Sequence, residues 1–141
     1  METIILTVLN YKVTIASSHA FLVRFLKAGH ADKRMVQFAC YILDGTLQNY
    51  HILEYLPSQL AAASVLIARR CIGRHSWSPT LLKYAEYSEE DVTPVARSIL
   101  TMRASGGASE LHAVNRKYSS NAYGAVAHEM FDFDLSNELE N

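Results

Sequence analysis

The chain holds 141 residues, 50% apolar and 19% charged, and its 13 Lys and Arg against 14 Asp and Glu give a formal net charge of -1. That length suits one domain, and the composition excludes a disordered, collagenous or low-complexity chain. A near-neutral balance supplies no broad cationic field, so neither nucleic acid nor an anionic membrane is an expected partner.

The N-terminal stretch from Met1 to Val13 is apolar, but it opens with Glu2 and lacks the cationic start of a secretory signal. It reads as an amphipathic helix with Ile4, Ile5, Val8 and Leu9 on one side. No apolar run approaches the ~20 residues that span a bilayer. Ser17 or Ser18 is an N-cap for a helix carrying Phe21, Leu22, Phe25 and Leu26. Gly29 is expected to end it in the left-handed conformation. Asp32 then caps a second helix whose apolar stripe reads Val36, Cys40, Leu43, Leu47 and Tyr50. Gly45 inside that pattern either weakens the helix by about 1 kcal/mol or admits a close neighbour.

Pro57 suits the first turn of a third helix, which is apolar almost all round from Leu60 to Ile72. A helix without a polar face must be surrounded by others, so this is the expected central helix, at about 57–73. Ser78-Pro79 opens a short helix with Leu81, Leu82 and Ala85 inward, and Ser88-Glu89-Glu90-Asp91 starts another. That next helix carries Val92, Val95, Ile99 and Met102, with Pro94 in or near its first turn. Gly106-Gly107 breaks the chain, a last helical pattern runs from about Ser109 to Tyr118, and residues 129–141 form an acidic tail. The fold class is all-α.

Chemistry has few anchors. Cys40 and Cys71 form no C-x-x-C pair and read as buried thiols of a reducing compartment. The six His are scattered, and His128-Glu129 lacks a zincin's second His because Asp132 stands in its place. No nucleophile elbow, P-loop or dinucleotide fingerprint occurs, so no catalytic residue, cofactor or metal is expected. Arg69 and Arg70 suit the C-terminal end of the central helix, with solvated heads, rather than an anion site. Trp77 has two readings: an exposed interface anchor, or a ring closing the core beneath a loop.

Five stretches, taken in order, resemble a known family. They are Met1–Tyr11, Phe21–Ala28, Tyr55-Leu56-Pro57-Ser58 with the small-residue run after it, Trp77–Leu81 with Tyr87–Glu90, and Val114–Ser120. Together they resemble the C-terminal cyclin fold of mitotic A- and B-type cyclins, the Lys117-Tyr118 tail leaning toward the B group. The resemblance implies a five-helix cyclin-like fold at 17–128. Residues 1–11 would be the last helix of an N-terminal cyclin box otherwise missing from this sequence. It further implies an intracellular regulatory subunit, in nucleus or cytoplasm, that binds and supports a cyclin-dependent Ser/Thr kinase in mitotic control. The kinase performs the chemistry, and a hetero-oligomer is expected where the N-terminal box exists. Leu6 is the one kinase-facing position that carries over. The alternative is a truncated cyclin-fold interaction module that activates no kinase.

Overall fold

The computed structural model describes residues 1–74, 77–105 and 112–129, and among these the regular structure is eight α-helices and two 3-10 turns, with no strand. Helix α1 (Glu2–Val8) precedes a bundle of α2 (Ser18–Ala28), α3 (Lys33–Thr46), α4 (Pro57–Cys71), α5 (Pro79–Ala85) and α6 (Glu89–Ser105). Two short helices follow, α7 (Ala113–Tyr118) and α8 (Val126–Glu129).

The central helix is α4, and α2, α3 and α6 pack around it. Every residue from Leu60 to Arg69 is buried. The small side chains of Ala61, Ala62, Ala63, Ser64 and Ala68 let three neighbours approach at once, and Ser64 spends its hydroxyl on the Leu60 carbonyl at 2.8 Å. Pro57 occupies the first turn, and the Leu56 amide donates to Gln59 Oε1 at 2.9 Å, satisfying a donor the helix start would otherwise orphan. Gly73 at φ +76° follows the helix end in the left-handed conformation.

The caps read from the sequence are present. Ser17 accepts from the Ala20 amide at 3.4 Å, Asp32 from Met35 at 2.9 Å, and Ser78 from Leu81 at 3.2 Å. Ser88 and Asp91 cap α6 reciprocally: Asp91 donates its amide to Ser88 Oγ and accepts the Ser88 amide on its carboxylate. Those bonds from Ser88 hold the Asp91 carboxyl below the usual carboxylate range.

Several local expectations are corrected. Gly29 has φ -83°, and His30, at φ +48°, takes the left-handed place that lets the Ala31 amide reach the Leu26 carbonyl. Gly29 matters for space: a Cβ there would lie 3.3 Å from the Phe25 carbonyl oxygen and 3.5 Å from Leu81. The buried residues of α3 are Met35, Phe38, Ala39, Tyr41, Ile42, Leu43 and Thr46, whereas Val36, Leu47 and Tyr50 are exposed. Helix α3 carries two apolar stripes, and packing on α4 selects the one with Met35 and Ile42. Leu82 likewise points to solvent while Leu81 and Ala85 face inward. Pro94 is the sixth residue of α6, inside the helix just past its first turn. The heads of Arg69 and Arg70 are not solvated: Arg69 is only 6% exposed, and Arg70 pairs with Glu89 at 2.5 Å. Cys40 and Cys71 are half-buried and form no disulfide. Gly106-Gly107, the start of the pattern at Ser109 and the tail beyond Glu129 lie outside the described residues.

Candidate protein-interaction surface

Helix α1 buries no side chain. Ile4, Ile5, Val8 and Leu9 are exposed, Val8 by 75%, and Leu6 alone is half-buried. Asn10 and Tyr11 both take positive φ and turn the chain, and Tyr11, Val13 and Ile15 beyond them are exposed as well. Among the described residues, no side-chain hydrogen bond or ion pair ties residues 1–16 to the bundle; the Thr7 hydroxyl donates within the helix, to the Thr3 carbonyl. A segment with so many exposed apolar side chains loses free energy to water until another surface covers it. Its chemistry suits a protein partner, since Glu2 and Lys12 are the only charged side chains it carries.

Trp77 lies in the α4–α5 connection. It is half-buried against the core, and its Nε1–H donates to the Tyr87 carbonyl at 3.0 Å. Tyr87 in turn shares a hydrogen bond of 2.9 Å with Ser58 at the start of α4. The ring therefore packs over the core at the α4–α5 connection. His75 and Ser76 beside it lie outside the described residues.

A second apolar surface was hidden in the sequence. Leu47, Tyr50, Leu53 and Leu56 are all exposed along the α3–α4 connection, Tyr50 by 83%. Leu47 and Tyr50 read as a continuation of the α3 stripe, yet the helix stops at Thr46 and a 3-10 turn at Tyr50–Glu54 follows. Asn49 is the signal that could have revealed this, because its side chain accepts from the His51 amide at 3.0 Å and caps the turn.

Burial pushes the Cys40 thiol up, away from the reactive thiolate. Glu129 engages Arg34 rather than a metal-binding arrangement with His128, and among the described residues no cluster of three His, Cys, Asp or Glu could hold a metal ion. No helix among them is long and apolar enough to cross a membrane.

The signature of the family described as "Cyclin, C-terminal domain" matches residues 16–130. Cyclin-B2-2 of Arabidopsis thaliana is 34% identical over 128 residues, covering 90% of this chain and 30% of that protein. G2/mitotic-specific cyclin-1 of Medicago sativa subsp. varia is 30% identical over 141 residues, 99% of this chain and 33% of that protein. G2/mitotic-specific cyclin S13-7 of Glycine max is 35% identical over 128 residues, 90% and 50% respectively. The chain thus spans 30% to 50% of the length of these relatives.

Proposed function

Because this chain belongs to the Cyclin, C-terminal domain family, we propose that it works as part of a mitotic cyclin-type regulatory subunit that binds a cyclin-dependent Ser/Thr kinase. The observation that carries this reading is the apolar helix α1, unburied and placed directly before the matched domain. In the proposed arrangement residues 1–11 complete an N-terminal cyclin box, and 17–128 form the rigid C-terminal fold behind it. Leu6 faces the kinase, and the exposed Ile5 and Leu9 beside it add apolar surface to the contact. The role is regulatory: catalysis belongs to the partner kinase, and the subunit acts inside the cell, in nucleus or cytoplasm.

The test is kinase activation. The full polypeptide containing this chain, added to a purified inactive cyclin-dependent kinase, is expected to start phosphorylation of a Ser/Thr peptide. Binding without turnover would support an interaction module instead, and absence of both would overturn the reading.

A further inference from the structure

Helices α7 and α8 have their principal contacts with α3 and with each other, not with the central α4. Four residues of α3 receive them. Arg34 pairs with Glu129. Gln37 lies against Gly124, where a Cβ would sit 2.5 Å from its Oε1. Tyr41 stacks on Tyr118 with ring centroids 5.2 Å apart. Asp44 Oδ2 accepts from the Tyr118 hydroxyl at 2.8 Å and from Lys117 Nζ at 2.9 Å. At ~100° per residue, positions 34, 37, 41 and 44 fall within an arc of about 80°. The partners descend from 129 to 117 as the α3 numbers rise, so residues 113–129 run antiparallel along one strip of α3.

We propose that residues 113–129 form a strap that unlatches from α3 as a unit while the α2–α6 bundle stays folded, with Asp44 as the latch.

Three features argue for independence. First, α7 has six residues and α8 four, too short to hold helical structure without the surface beneath them. Undocking and melting are therefore one event. Second, the strap buries few side chains, Tyr118, Val126 and Ala127, whereas α4 buries ten in succession. Third, the ends of the strip are held by ion pairs whose members remain partly exposed and are weakened by solvent and salt. At the Asp44 end the latch is dense. Tyr118 lies between Tyr41 and Tyr123, and the Lys117 ammonium sits 4.8 Å and 5.3 Å from the Tyr118 and Tyr123 ring centroids. Opening removes Tyr118 from the buried Tyr41 ring, which keeps the Arg103 guanidinium of α6 at 4.4 Å from its centroid. Cys40 lies at the same edge, one turn before Asp44 and near enough for the charges of Asp44 and Lys117 to act on it. This device needs no kinase and does not rest on the proposed function.

The two thiols make the test. Cys40 lies beside the strap and Cys71 at the end of α4, so iodoacetamide labelling of the intact chain reports each region separately by peptide mass spectrometry. Gly124 has φ +73°, and Gly124→Ala strains that turn as well as crowding Gln37. It is expected to speed Cys40 labelling by about tenfold with the Cys71 rate unchanged, because only a local opening equilibrium shifts. Lys117→Met, which keeps the apolar stem and removes the charge, should speed Cys40 labelling by a smaller factor. In the unmodified chain, amides of 113–129 should exchange with solvent before those of α4. Equal acceleration at Cys40 and Cys71, unfolding of α4 together with the strap, or unchanged Cys40 labelling in both variants would each overturn the proposal.

Discussion

Ser58 and Tyr87, 29 positions apart, share a hydrogen bond of 2.9 Å, and the backbone carbonyl of the same Tyr87 accepts the Trp77 indole N–H at 3.0 Å. One tyrosine thus pins the start of α4 and the α4–α5 connection to the entry of α6. The Pro57-Ser58 step and the Tyr87-Ser88 step, read from the sequence as separate signals, are two sides of one joint.

That joint can be measured by a double-mutant cycle. Ser58→Ala and Tyr87→Phe should each lower the unfolding free energy, with a coupling of about 0.5–1.5 kcal/mol between them in urea titrations. Additive effects would mean the bond contributes nothing to stability.

The choice of helix face gives a sharper contrast. Leu66 is 2% exposed and Leu82 is 48% exposed. Leu66→Glu should cost about 3–5 kcal/mol, because it buries an unpaired charge in the helix that three others surround. Leu82→Glu should change stability by less than about 0.5 kcal/mol. Similar costs at the two positions would contradict the packing of α5.

The Asp44 latch should make the protein sensitive to alkali. Burial pushes the Tyr118 hydroxyl above its ordinary value, and the bond to Asp44 raises Lys117 as well. The folded protein therefore holds protons that the unfolded chain releases from about pH 10 upward, so this stability is complete below that pH and declines above it. The urea midpoint should fall between about pH 9 and 11, and the fall should be shallower in Tyr118→Phe. An identical slope in the variant would show that the Tyr118 hydroxyl is not the group responsible.

The legible parts of this fold were those set by local chemistry. Asp32, Ser78 and Ser88 marked helix starts because a side-chain oxygen three residues before an amide caps it wherever the chain goes. The all-round apolar run after Leu60 likewise left α4 no choice but the centre. What the sequence left open depended on neighbours it does not specify. Either stripe of α3 could have faced inward, and α4 decided for Met35 and Ile42. The burial of Arg69 and the placing of Gly45 against Arg103 both depend on tertiary neighbours. At the candidate surface, the apolar character of α1 was readable, but that Leu6 is half-buried while Ile4, Ile5 and Val8 stand in solvent was not. The exposed side chains of Leu47, Tyr50, Leu53 and Leu56 stayed hidden because their apolar spacing mimics a continuing helix.

The central claim is that α1 is a partner surface of a cyclin-type subunit, and co-elution with a purified cyclin-dependent kinase on a sizing column tests it most directly. The polypeptide should co-elute with the kinase in a fixed ratio. The Ile5→Asp, Val8→Asp double variant should elute alone while keeping its helical circular dichroism, since neither side chain is buried. Equal co-elution of both proteins, or failure of the unmodified one to bind, would contradict the account.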